Sequence, residues 1–368
     1  MCNWDHECFP YASVSLCFSL VQIDAASWFA ERSKLQNDNI LLDRTDLTKT
    51  PCICVDAKRT SFRDDAMGLR PRAATGRNVV PEASKWEVLV HIADVSDIYL
   101  AKDGSTEREE FIQLNALRSA ARKRGTSRYD LPFGPLHLLP PKVLAALSFS
   151  STRKRQPAVT VWVYIDERDG RLLDFGLERT VIGPVRQLSF AEATSLMEMP
   201  ANTDTPRTTA NETRALLLVI ERILKSWSEA SLQMNEAARK RQARLKMRES
   251  HVQSWNGMAD DESEGFLRTR GHLLVDSALD LYGQTLSGML RTAGAPVPRA
   301  TGADEERNGR LATGPLRRYI DGEAQRQALA VLCNLGTPLT LAECREVGKL
   351  SNDKRNAINN VRATRKDR

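Results

Sequence analysis

The rhythm of hydrophobic and polar positions changes twice along the chain, near residue 50 and again near residue 190. CICVD (52–56) is a short apolar run ending in an acid, and WEVLVHIAD (86–94) alternates with period two. AVTVWVYID (158–166) is a third clear strand, followed by a turn at Glu167-Arg168-Asp169-Gly170. A period of two predicts strands. Between the first two runs, PRAATGRNVVPEAS (71–84) is rich in Pro, Gly and Ala and reads as a hairpin loop or insertion. The period then lengthens. Residues 107–124 have helical character and many basic side chains, and Ser189 with Glu192 three residues on predicts a capped helix start. Leu216, Leu217, Ile220, Ile223, Leu224 and Trp227 recur at helical spacing and predict a core-facing stripe. Basic NEAARKRQARLKMRES (235–250) reads as a solvated helix face, ADDESEG (259–265) as a loop, and 270–293 and TGPLRRYID (313–321) as further helix. Strands in the front half and helices in the back half predict an α/β (mixed α+β) domain over 51–368, after a lead-in over 1–50 that holds a short packed helix at 12–32.

Composition narrows the class. Of 368 residues, 41% are hydrophobic and 27% charged, which argues for a globular protein rather than a disordered one. The net charge of +6 permits a polyanionic partner without requiring one. Seven scattered cysteines include no C-x-x-C pair and no Cys/His group with zinc spacing, so they are expected as reduced intracellular thiols. Cys52 and Cys54 are expected to face opposite ways and not to share a metal. No run of eighteen apolar residues is present, and the apolar stretch 12–23 follows acids instead of basic residues. The expectation is an intracellular protein, not a secreted one, with compartment open.

The chemistry concentrates in VDAKRTSFRDDA (55–66), which places Asp56, Asp64 and Asp65 within ten residues. Crowded carboxylates repel, and a hard divalent cation such as Mg²⁺ relieves that repulsion; a solvated turn is the alternative. Asp94 closes the second strand as a further candidate acid or as a turn or cap residue, and His91 before it is read as a core histidine. Thr313-Gly314-Pro315 is expected to open a helix whose free amides favour an anion, with Arg317 adding a forked donor. Arg318 and Asp321, three apart, are expected to form a surface ion pair of little weight.

These strings, in this order, resemble the RNB exoribonucleases. The D-x₅-D-x-D-D-A signature followed by V-H-I-A-D-V-S is similar to 56–66 and 90–96. Residues 117–151, 185–193 and 312–329 are similar to the family's R-x-x-S-x-Y-L-P, r-L-t-Y-e-e-A and T-S-P-[IL]-R-R-Y-x-D stretches. The resemblance covers about residues 52–330 and leaves no stretch for the family's cold-shock or S1 barrels. It implies an RNB-type domain around an RNA channel, with Asp56 and Asp65 binding Mg²⁺ and Asp64 positioning the attacking water. It also implies Tyr129 stacked on a base, with Arg317 and beside it Arg318 contacting RNA. The implied activity is hydrolytic 3′→5′ cleavage of single-stranded RNA to nucleoside 5′-monophosphates. Three positions depart from the pattern. Phe62 stands where the signature has an acid, Val361 where the family has a glutamate, and Gly283 where it has an asparagine. The alternative is therefore an RNB pseudoenzyme that binds RNA or scaffolds an assembly, using basic residues around 118–128 and 239–248.

Overall fold

The computed structural model describes residues 18–35, 43–72, 85–100, 108–129, 131, 134–200, 209–234, 269–300 and 311–366. Most of the insertion at 71–84, the basic run 235–250 and the acidic loop 259–265 lie outside them, as does the Val361 side chain. Seven strands are present among the described residues: β1 (Thr45–Leu47), β2 (Cys52–Asp56), β3 (Asp65–Pro71), β4 (Trp86–Ala93), β5 (Gln156–Ile165), β6 (Leu172–Ile182) and β7 (Val185–Ser189). They form one curled sheet in the order β1-β6-β5-β4-β3-β2-β7. The middle is antiparallel, whereas β1 runs parallel to β6 and β2 parallel to β7.

Helices cover both faces, which is why β4 is buried from Glu87 to Ala93. On one face α1 (Leu20–Leu35), α2 (Ser96–Leu100), α3 (Arg108–Arg124) and α4 (Pro141–Leu147) pack over Cys52, Cys54, Ala66 and Leu89. On the other, α5 (Phe190–Glu198), α6 (Thr209–Met234) and α7 (Arg270–Thr292) pack over Ile53, Val55, Met67 and Val90. The helix α8 (Tyr319–Leu332) serves both cores, with Tyr319 in the first and Ala324 and Ala328 in the second; α9 (Leu341–Lys366) follows. The expected stripe on α6 is buried at Leu217, Ile220, Ile223, Leu224 and Trp227. Ser189 accepts from Glu192 N (3.1 Å) while Glu192 accepts from Ser189 N (2.7 Å), closing the expected capping box.

Three local expectations are corrected. Cys52 and Cys54 share a face, as residues two apart on a strand must, and both are buried in the same apolar cluster. Burial pushes the Cys52 thiol up to about 12. The helix expected from Thr313 begins at Tyr319, because Gly314 N and Leu316 N are turned onto the carboxylates of Asp321 and Asp64 (2.8 Å each). The Arg318–Asp321 pair (2.5 Å) is not a loose surface contact. Asp321 is buried, and Arg318 also donates to Thr313 Oγ1 (2.9 Å), so the pair locks the turn before α8.

The helix α8 approaches α2 through Gly322. A Cβ there would lie 2.3 Å from Cζ of Tyr99, a ring that is fully buried. Gly322→Ala is expected to lower stability by about 1–3 kcal/mol through overpacking, although alanine favours the helix. A urea melt measures the change, and a variant as stable as the parent would show that α8 can ride outward.

Candidate carboxylate site

The signature acids gather where β2 ends and β3 begins. Asp56 is the last residue of β2, and Asp65 is the first of β3, opposite Ile92 of β4. Asp64 sits just before it, and its carbonyl accepts from Ala93 N at 2.8 Å. The Asp64 side chain is 4% exposed: Oδ1 accepts from Leu316 N at 2.8 Å, and Oδ2 lies 3.3 Å from Nε of Arg317. Residues far apart in sequence thus close the site from opposite sides.

Arg317 is its electrostatic centre. The Asp64 charge raises its affinity for a proton against burial, and Asp65, Asp321 and Asp56 add to the effect. Its backbone carbonyl is held by Ser127 N (2.8 Å) and Thr126 Oγ1 (3.1 Å), which brings the segment carrying Tyr129 alongside. Tyr129 is 64% exposed and stands edge-on to His137 (centroids 6.1 Å apart), which in turn stands edge-on to Phe62 (5.1 Å). Burial lowers the His137 proton affinity, so the row Phe62–His137–Tyr129 is uncharged at neutral pH. Sequence reading missed His137, since nothing in HLLPP marks it as a partner of Tyr129.

Burial raises the Asp64 carboxyl while Arg317 and the Leu316 amide oppose it. Burial pushes Asp56 up to about 6, against Arg317 and Arg63 and with help from Asp64. Its Oδ2 is buried and meets no hydrogen-bond donor among the described residues. A buried carboxylate oxygen without a donor suits a cation. No three His, Cys, Asp or Glu side chains among the described residues form a cage, and Mg²⁺ is usually held by one or two carboxylates together with substrate phosphates. The residues present fit such a shared ion.

The linkage has a definite sign. Between the ordinary carboxylate value near 4 and the folded value near 6, the folded state holds more proton on Asp56 than the unfolded state. The group therefore favours folding in acid, and that contribution is gone above pH ~6. At pH 7.5 without divalent ions, Asp56→Asn is expected to raise stability by about 2 kcal/mol. Added Mg²⁺ should raise the melting temperature of the parent and leave that of Asp56→Asn unmoved, which differential scanning calorimetry reads directly.

The other expected residues fall elsewhere. Asp94 pairs with Arg44 (2.6 Å) and accepts from Ser96 N (2.7 Å) as a turn residue before α2. His91 is a core histidine: burial pushes it down to about 3, and Nδ1 meets Thr160 Oγ1 at 2.7 Å.

The RNB domain matches residues 44–300 of the chain. The chain belongs to the RNB family. Solved structures agree on the fold. RNase R of Mycoplasma genitalium, in complex with ribose-methylated single-stranded RNA, superposes with a TM-score of 0.60 at 12% identity, over 92% of this chain and 61% of that one. An active-site mutant of the Dss1 exoribonuclease from Candida glabrata gives 0.59 at 13% identity, over 91% and 49%. Yeast Ssd1, described as a pseudonuclease, gives 0.58 at 14% identity, over 86% and 44%. The chain spans about half the length of these RNB proteins. No curated protein matched. Among the described residues no helix is long and apolar enough to cross a membrane.

Proposed function

We propose that this RNB domain is a Mg²⁺-dependent hydrolytic 3′→5′ exoribonuclease acting on single-stranded RNA. One observation carries the reading: Arg317 contacts Asp64 and feels the charges of Asp65 and Asp56, with a buried Asp56 oxygen left for a cation. Asp56 and Asp65 would hold the ion, which when bound supplies Lewis acidity toward phosphate and a water of lowered pKa. Asp64 orients Arg317 and is placed to accept a proton from an attacking water. Arg317, with 42% of its side chain exposed, turns a charged fork toward a scissile phosphate and stabilises its developing charge. Tyr129 offers an exposed ring for a terminal base, a contact tolerant of sequence. Arg318, tied to Asp321 and Thr313, supports the same phosphate side by shaping the turn.

A second reading rests on Phe62. In place of an acid the chain has a ring packed on His137 and against the apolar core, and such a substitution leaves a domain that binds RNA without cutting. Stepwise shortening of a 5′-labelled unstructured RNA in Mg²⁺ separates the two. Shortening by the parent that vanishes in Asp64→Asn supports the enzyme. Shortening by Phe62→Asp alone, or RNA binding with no shortening by either, supports the second reading.

A further inference from the structure

Away from the carboxylates lies a cavity of about 800 Å³ between α1, α4 and the start of β5. Its wall carries Arg44, Lys142, Arg153, Lys154 and Arg155. The acids facing it are Glu31, Asp94 and Asp97. Asp94 is taken by Arg44, and burial together with Asp94 raises the proton affinity of Asp97, so positive charge prevails. Several buried donors here have no acceptor among the described residues: Nη2 of Arg153, Nε of Arg155, and Nε and Nη1 of Arg44. Arg44 is more than nine-tenths buried. Leaving such donors unmatched is costly, and a guanidinium fork without a carboxylate partner matches phosphate oxygens. Burial lowers the proton affinity of Arg153, as expected for a cation held without a counter-charge.

The cavity lies at the same end of the sheet as the cleavage site. Asp65 stands opposite Ile92, and the next residue of β4, Ala93, stands opposite Ala158 of β5, beside Pro157 in the cavity wall. Two strand spacings separate them, about 10 Å. We propose that this cavity binds a phosphate group, supplied by the RNA strand whose end enters the carboxylate site. The proposal rests on the exoribonuclease reading for its ligand; its chemistry, unmatched guanidinium donors, does not. A free phosphorylated small molecule would use the same donors.

The test is run in the Asp64→Asn background, where RNA is not consumed, so that failure to cut and failure to bind are read separately. Fluorescence anisotropy follows a labelled single-stranded RNA, and calorimetry follows adenosine 5′-monophosphate. Arg153→Gln/Arg155→Gln is expected to weaken RNA binding about tenfold, and Arg153→Lys/Arg155→Lys to recover part of it. Lys142→Glu, at an exposed position on the cavity wall, is expected to weaken binding without risk to the core. Loss of nucleotide binding with RNA binding unchanged assigns the site to a small phosphorylated ligand. Equal affinity of parent, Arg153→Gln/Arg155→Gln and Lys142→Glu for both probes would overturn the proposal, as would loss of binding only where melting shows an unfolded variant.

Discussion

On the proposed exoribonuclease reading, Asp64→Asn is expected to reduce RNA shortening by about a thousandfold and to leave the fold in place. The amide keeps an acceptor for Leu316 N, but it sets an NH₂ group against Nε of Arg317, where the carboxylate oxygen stood at 3.3 Å. Two donors then face each other, the proton acceptor is gone, and Arg317 is free to swing toward solvent. Stability changes little, by about 1 kcal/mol in either direction, because burial works against the Asp64 charge while its two partners work for it. Single-turnover cleavage gives the rate, and a melt gives the control. A variant that cuts at the parental rate would remove Asp64 from the chemistry.

The largest structural effect is expected at Arg44 and Asp94, whose side chains are each 2% exposed and meet at 2.6 Å. Burial opposes the Asp94 charge, but Arg44, Arg179 and the Ser96 bonds outweigh it and hold the carboxyl below its ordinary value. The stabilisation is therefore present above pH ~4 and lost as acid protonates the folded form. Arg44→Met strands a buried carboxylate and is expected to cost about 3–5 kcal/mol, a drop in melting temperature on the order of 10 °C. Arg44→Met/Asp94→Leu should regain much of that loss, since removing both charges spares the desolvation of each. A double-mutant cycle with additive losses would mean that the pair is not coupled.

Strands β2, β4 and β5 were legible as short apolar or alternating runs that end in an acid or a turn. Strand β6 was not. Its Glu178 and Asp174 pair across the sheet with Arg70 and Arg72 at the end of β3, so charge interrupts the hydrophobic pattern where a strand remote in order satisfies it. Strand β3 begins with buried Asp65 directly after buried Asp64, and the two acids read locally as a turn. The acids themselves stood out by spacing, but their approach to Arg317 was implied only by family resemblance, because the bond that brings this turn in, Leu316 N to Asp64, joins residues 252 positions apart. The start of α8 was misplaced for a related reason. Amides that a local reading leaves free are claimed by carboxylates from elsewhere in the fold.

The parallel edges of the sheet carry a consequence for how the chain acquires its shape. Thr45 of edge strand β1 finds its partner only at Thr180, and Val185 of edge strand β7 only at Cys52, so neither edge can zip from a local hairpin. Such long closures are slow, because chain entropy is spent before the contacts reward it. On a ribosome the antiparallel centre, β2 through β6, can form while the parallel edge strands β1 and β7 wait. Asp64 then stays open to water until Leu316 and Arg317 have emerged and docked, so the sheet is in place before the carboxylate site is closed.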